Sequence, residues 1–260
     1  QVVGEGAAPP LADGVLRLAT VNVAHGRGRS WHQVAVQEER IRANLSTIGS
    51  VLAREAVDMV LLQEIDGPSW WSGRIDMAPL VAEKAGMSHV VRGDQVTGLG
   101  LRYGTAIASR GRLSRAEAVA WPAGVGAPAK GYTKALWTLP DGRRVTVVSL
   151  HLHFLATGRQ RQQADALIND LADEPRPLII GGDFNADWRA GAGLVARIAE
   201  ALDLRGWQVE EGHPTFGLRR RIDWLLVSEP LRPVAQQTLE DVVSDHRMVV
   251  LECRWSAPDG

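Results

Sequence analysis

The sequence predicts an α/β domain built on mixed sheets, and three observations carry that reading. Runs rich in Val, Ile and Leu recur along the chain and outnumber the stretches with helical apolar spacing. Some of these runs are joined by hairpins, most clearly where Pro140-Asp141-Gly142 separates two β-rich segments. Strand, helix and strand, with polar residues at the strand ends, occur in that order in both halves, as a coarse two-fold echo.

The elements follow in order. Residues 15–23 form a strand candidate carrying Asn22, and 27–33 a polar loop. Ile41, Leu45, Ile48 and Leu52 recur at helical spacing, which predicts an amphipathic helix over 38–55. A strand at 59–62 ends in Gln63-Glu64, Asp66-Gly67-Pro68 breaks the chain, and Trp70 and Trp71 lie in the loop that follows. A short helix over 79–86 leads to a strand over 87–92, a Gly-rich loop over 98–102 and a strand over 103–109. After a strand candidate at 116–121 and a Gly/Pro loop at 121–131, the hairpin strands cover 132–139 and 143–150, the second ending at His151. Ala164, Leu167, Ile168 and Leu171 mark a second amphipathic helix; Leu194, Val195, Ile198 and Leu202 mark a third.

Between those helices lies Pro177-Leu-Ile-Ile-Gly-Gly-Asp-Phe-Asn185. It reads as a short buried strand ended by two glycines, with Asp183 and Asn185 past its carboxyl end, the edge where α/β sheets bind ligands. A strand over 222–227 bears Asp223, residues 234–239 are weakly strand-like, and Ser244-Asp245-His246 precedes a last strand over 248–253. No linker divides the chain, so one domain is expected over 15–256, with tails at 1–14 and 257–260.

Composition narrows the function. The chain has 260 residues, 45% hydrophobic and 23% charged, which permits a large core. A net charge of -1 lacks the basic excess usual in nucleic-acid-binding proteins. The single cysteine, Cys253, excludes an internal disulfide and a cysteine-rich metal site. No apolar run approaches the roughly 18 residues of a membrane span. Residues 1–14 are rich in Gly, Ala and Pro and start without Met, as a tail left after removal of an upstream segment would be. Export or membrane tethering in a bacterium is the expected location, with the cytoplasm as the alternative.

Each polar strand-end residue has an ordinary structural reading alone: Asn22 as a turn residue, Glu64 as the point where a strand surfaces, His151 as a satisfied core histidine. Together they do not, because charges beside a core need partners or a task. Thr20-Val-Asn22, Leu62-Gln-Glu64, Tyr103-Gly-Thr-Ala-Ile-Ala-Ser109, Ser149-Leu-His151, Gly182-Asp-Phe-Asn185, Arg221-Ile-Asp223-Trp and Ser244-Asp-His246 resemble, in this order, the endonuclease/exonuclease/phosphatase superfamily, which includes DNase-I-like nucleases, apurinic-site repair nucleases, inositol polyphosphate 5-phosphatases and neutral sphingomyelinases. Asn22-x-x-His25-Gly26 looks like a bacterial subgroup of it. The resemblance implies a four-layer α/β sandwich, two mixed sheets face to face with helices outside.

It also implies metal-assisted hydrolysis of a phosphate ester, in which a divalent cation neutralises the anionic ester and fixed polar groups steady the growing charge. Glu64 matches the metal carboxylate, with Asn22 and Asp245 as further candidates. Oxygen ligation suits Mg²⁺ or Mn²⁺. Asp183 matches the group that acts on the attacking water, with Asn185 and Asn22 positioning it. His246 matches the imidazole that contacts a phosphoryl oxygen, Asp223 its carboxylate partner, and His151 a residue near the phosphate or leaving group. His25 either touches substrate or caps its loop, and His153 is structural. Ala24 stands where some relatives carry a second acidic residue, and Phe154 where repair nucleases carry Asn.

For the substrate, Arg219-Arg-Arg221 is the best nucleic-acid feature and reads more simply as a solvated loop with one packed arginine. Near the strand ends only Arg102, Lys130 and Lys134 offer the cations an inositol phosphate needs. Trp70 and Trp71 suit an apolar ligand tail or a membrane interface, or else cover the core edge. The expectation is a monomeric phosphodiesterase for a lipid or small-molecule diester, with Arg102, Trp70, Trp71 and His25 as substrate contacts, possible membrane-surface contact and no strong nucleic-acid binding. A metal-dependent nuclease and an inositol-type phosphomonoesterase are the alternatives.

Overall fold

The computed structural model describes residues 14–30, 36–124, 126–154, 157–188, 190–208, 213–217 and 219–256. The expected tails lie outside these residues except for Gly14, as do residues 31–33 of the expected polar loop. In chain order the elements are β1 (Val15–Asn22), α1 (Glu38–Arg54), β2 (Met59–Asp66), α2 (Met77–Ala85), β3 (His89–Gly98), β4 (Leu101–Ser109), β5 (Arg112–Ala120), β6 (Gly131–Thr138), β7 (Arg144–His151), α3 (Thr157–Leu171), β8 (Leu178–Asp183), α4 (Ala190–Ala201), β9 (Leu204–Arg205), β10 (Asp223–Ser228), β11 (Leu231–Thr238) and β12 (Val249–Trp255).

The strands form two six-stranded sheets, ordered β11-β12-β1-β2-β4-β3 and β5-β6-β7-β8-β10-β9. Read from β12 and from β6, the two orders are the same pattern. Each holds one parallel pair, β1 with β2 and β7 with β8, bridged by α1 and α3 respectively. The expected two-fold echo is therefore a repeat of the whole sheet.

Three apolar layers fix the sandwich. Leu18, Leu61, Ile107, Val147, Ile179, Leu225 and Leu251 fill the space between the sheets. Val21, Val60 and Leu62 pack outward against Ile41, Leu45, Ile48 and Leu52 of α1 and Val81 of α2. Val148, Leu150, Ile180 and Leu226 do the same against Leu167 and Leu171 of α3 and Leu194, Val195 and Ile198 of α4. The central strands are buried on both faces, which is why they read as continuous apolar runs. Among the described residues no helix is long and apolar enough to cross a membrane.

Several boundaries differ from the expectation, each for a local reason. Gly181 and Gly182 do not end β8 but lie inside it. A Cβ on Gly182 would stand 1.9 Å from the Leu150 carbonyl oxygen, and one on Gly181 would stand 2.5 Å from Leu225 Cδ2. Glycine is there to let the neighbouring strands β7 and β10 come close. The Gly-rich stretch at 98–102 is a hairpin whose two connecting residues, Leu99 and Gly100, both have positive φ (50° and 73°), as a tight connection between twisted strands requires. β5 starts at Arg112, ahead of a register shift between Ser114 and Glu117, and β9 is a two-residue strand with no periodic signal.

Candidate active site

Strand direction gathers the polar residues at one end of the sandwich. The parallel pairs finish together: Asn22 lies opposite Gln63, and His151 opposite Asp183. β10 runs antiparallel to β8, so its first residue, Asp223, also pairs with Asp183. Beneath them lies a polar floor that ties the sheets together. Gln63 Nε2 donates to Ser149 Oγ (3.2 Å), Ser149 Oγ donates to the Leu62 carbonyl (3.0 Å), and the Thr105 and Thr133 hydroxyls meet at 2.8 Å.

Asp183 is the hub. Its Oδ1 accepts the Asn185 backbone N–H (2.9 Å) in a tight turn, where Asn185 has φ 50° and sends its own side-chain N–H to the Leu152 carbonyl (2.9 Å). Asp183 Oδ2 accepts from Asn22 Nδ2 at 3.1 Å and faces His151 Nε2 at 3.4 Å and His246 Nε2 at 3.8 Å. Asn22 Oδ1 in turn accepts the Ala24 N–H (3.0 Å), which fixes the amide's orientation. Burial pushes the Asp183 carboxyl up, to about 6, against the opposing charge of His246.

On the far side of His246, both Asp223 oxygens face Nδ1, at 2.9 and 3.1 Å. Burial alone would lower this imidazole. The charges of Asp223 and Asp183 outweigh it and raise the group to about 10, so it stands as an imidazolium. The Phe216 ring lies 4.7 Å from it, centroid to centroid. His151 goes the other way: burial, and then the Lys130 ammonium 2.9 Å from its Nε2, hold it well below the usual histidine range. The centre thus holds one charged and one neutral imidazole on either side of one carboxylate.

Glu64 comes from the other sheet and is aimed by a bulge. The β2–β4 register slips between Gln63 and Ile65, and Glu64 takes φ 50°. The extra residue turns the side chain out of the pleat toward the site. Its oxygens face His25 Nε2 (3.5 Å), Lys130 Nζ (3.6 Å) and His151 Nε2 (3.9 Å). Burial opposes ionisation, yet the neighbouring His25 and Lys130 prevail and hold the carboxyl well below its ordinary range. Glu64, Gln95, Tyr103, Thr105, Lys130 and His151 help line a small cavity.

Among the described residues, two places could hold a cation. Asp183, Asp223 and His246 bring one ligand atom each to within 4.8 Å of one another. As folded, that histidine is an imidazolium committed to Asp223, and an imidazolium donates hydrogen bonds and cannot ligate. Glu64 fits a divalent ion better, being ionised, at the edge of a small cavity and still 22% exposed along its side chain.

Some expected residues are placed elsewhere. Arg102 does not join the cluster. Its guanidinium takes Asp94 Oδ2 at 2.9 and 2.6 Å, beside Arg92 and Asp76, so its charge is spent in a surface ion network. Lys134 pairs with Glu117 and Glu174. Asp245, expected near the metal, is held by Arg27 at Oδ2 (2.7 Å) and by Ser244 Oγ, which donates to Oδ1 (3.1 Å). Trp71 and His25 do reach the site: the Trp71 ring lies 5.2 Å from His25, and Trp70, 53% exposed, lies 6.4 Å beyond it. Arg221 is packed, its guanidinium 4.2 Å over the Trp224 ring.

The roles of two contributors escaped the sequence reading. Lys130, in a Gly/Pro loop, was noted only as one of three cations near the strand ends, not as a partner of His151 and Glu64. Asp66 read as a chain breaker; it is the last residue of β2, fully buried, and accepts from Trp71 Nε1 (2.6 Å) while facing His25 Nδ1 (2.7 Å).

The model of the endonuclease/exonuclease/phosphatase family matches residues 19–246, from the middle of β1 to the imidazolium. The chain belongs to this family. Solved structures agree on the fold. An endonuclease/exonuclease/phosphatase from Beutenbergia cavernae is 22% identical with a TM-score of 0.73, covering 94% of this chain and 72% of that one. A family protein from Leptotrichia buccalis is 14% identical with a TM-score of 0.69, covering 92% and 100%. The human Nocturnin catalytic domain with bound sulfate is 17% identical with a TM-score of 0.67, covering 98% and 97%. No curated protein matches. The family is one of phosphoester hydrolases.

Proposed function

We propose that this protein is a divalent-metal-dependent phosphodiesterase, monomeric, that hydrolyses a lipid or other small-molecule phosphodiester. The observation that carries the reading is the Asp223–His246–Asp183 chain, with Asn22 and His151 converging on the same Asp183 oxygen. A carboxylate with a raised pKa can take a proton from water near neutral pH, and the imidazolium 3.8 Å away can meet an anionic oxygen. Asn22 and the Asn185 turn hold Asp183 in place. His151, kept neutral by Lys130, stands where a leaving oxygen or the water can be oriented.

Glu64 would hold the cation, with the Asn22 carbonyl as a second oxygen donor, and Mg²⁺ or Mn²⁺ suits that chemistry. Bound there, the ion would neutralise the ester and polarise its phosphoryl oxygen. The aromatic wall from Tyr103 through Trp71 to Trp70 supports an apolar group on the substrate.

Turnover of bis(p-nitrophenyl) phosphate with and without EDTA tests the reaction. Activity is expected to vanish in EDTA and return with Mg²⁺ or Mn²⁺, and Glu64→Gln is expected to cost about 100-fold or more. Full turnover in EDTA would sink the reading. A panel of phospholipid, nucleotide and inositol-phosphate substrates then separates the classes.

A further inference from the structure

We infer that His25 is a metal ligand, held by Asp66, and that the site therefore prefers Mn²⁺ or a related transition ion to Mg²⁺. The inference deepens the metal dependence proposed above and rests on it. Three observations carry it.

The first is donor geometry. Asp66 is fully buried, and its Oδ1 lies 2.7 Å from His25 Nδ1. A carboxylate only accepts, so Nδ1 carries the hydrogen and Nε2 is the atom presented to Glu64 Oε2, 3.5 Å away. Two donors each about 2.1 Å from one ion can stand that far apart. Carboxylate–histidine–metal is the usual way a protein fixes a ligating imidazole.

The second is that His25 is held in place at a cost. Ala24, His25 and Gly26 have consecutive positive φ values of 46°, 54° and 69°, a costly path for the first two. Asn44 Nδ2 clamps the Gly26 carbonyl (2.9 Å), and a Cβ on Gly26 would stand 2.8 Å from Ile41 Cγ2. Tyr103 and Trp71 wedge the ring edge-on at 4.8 and 5.2 Å, and Trp71 Nε1 donates to the second Asp66 oxygen.

The third is elimination within the site. His151 Nε2 also faces Glu64, at 3.9 Å, but receives the Lys130 ammonium at 2.9 Å. His246 is committed to Asp223. Nitrogen ligation favours Mn²⁺ and its neighbours, whereas Mg²⁺ keeps to oxygen.

The test reads metal binding, not turnover. Metal-stripped protein loaded with MnCl₂ alone is examined by pulsed EPR for ¹⁴N coupling, and Kd values for MnCl₂ and MgCl₂ are measured by calorimetry. Imidazole nitrogen coupling is expected in the parent protein and in His151→Gln, and is expected to be lost in His25→Gln. His25→Gln should weaken Mn²⁺ binding about 10-fold or more with little change for Mg²⁺, and Asp66→Asn should cost about 10-fold to 100-fold. Bound Mn²⁺ without nitrogen coupling, coupling that persists in His25→Gln, or no Mn²⁺ binding by the parent would overturn the inference. The spectrum of the parent needs no variant to fold. Nitrogen-ligated Mn²⁺ in a protein that cleaves no phosphate ester would overturn the proposed reaction and leave this site standing.

Discussion

At the level of single residues, the site works by pushing like groups to opposite protonation states. His246 and His151 are both buried, yet the first is raised by two carboxylates and the second lowered by burial and an ammonium. Asp183→Asn keeps the shape and removes the proton acceptor; kcat should collapse by about 1,000-fold, within the range general bases supply, while KM stays within a few-fold. Comparable losses in both constants would assign Asp183 to binding. Asp223 governs the alkaline side. A histidine held above its unfolded value of about 6.5 stabilises the fold fully below that pH. That stability is given up as pH rises through 6.5 toward the folded value of about 10. Asp223→Asn should flatten the fall in Tm between pH 7 and 10, measured in EDTA, and move the alkaline limb of the rate profile to lower pH. Identical profiles for variant and parent would break the assignment. Asp183, Asn185, Asp223 and His246 were legible because each stands beside an apolar run, where a polar residue is conspicuous. The roles of Lys130, noted only as a cation near a strand end, and of Asp66 were not, since a lysine among glycines and prolines, and an aspartate before Gly-Pro, are what any surface turn contains. Only the fold brings Lys130 to His151 and Asp66 to His25.

At the level of elements, the helices and central strands were readable from apolar spacing alone, because α1, α3 and α4 each bury one face and β2 and β8 are covered on both. Strand ends were less readable, because pairing decides them. The glycines of β8 show why. They look like a terminator, and only the approach of β7 reveals that the strand continues through them to deliver Asp183. Gly182 has φ 147°, and its added Cβ would stand 1.9 Å from backbone that cannot turn aside. Gly182→Ala should therefore destabilise the protein by about 3 kcal/mol or more, at the upper end of overpacking costs. Thermal unfolding should record a drop of about 6 °C or more for a chain this long. Activity should fall in the fraction that remains folded, because β8 carries Asp183. An unchanged Tm would mean that β7 and β8 separate more readily than their register implies.

At the level of the whole molecule, the repeated sheet places Glu64 on β2 and Asp183 on β8, corresponding strands of the two halves, and the site is the seam where the two sheets meet. One rim of that seam is apolar. Tyr103, Trp71 and Trp70 lead outward from His25, and Leu99, 96% exposed, sits on the hairpin whose Gly100 carbonyl accepts the Trp70 N–H (3.1 Å). Neighbouring exposed Trp and Leu suit a lipid surface better than a polyanion. The net charge of -1 points the same way, since binding a phosphate backbone draws on many lysines and arginines. The rim and the chemistry can be separated by experiment. The double variant Trp70→Ser, Leu99→Ser leaves the residues around Asp183 and Glu64 in place, so turnover of a soluble chromogenic diester should stay within about two-fold of the parent. Turnover of a phosphodiester lipid presented in vesicles should fall by about 10-fold or more, since the two side chains together are worth a few kcal/mol of apolar burial. Plasmid DNA at moderate salt should be nicked poorly by parent and variant alike. Equal losses on both diesters would make the rim part of the site's structure, and efficient nicking by the parent would favour nucleic acid over a lipid as the substrate.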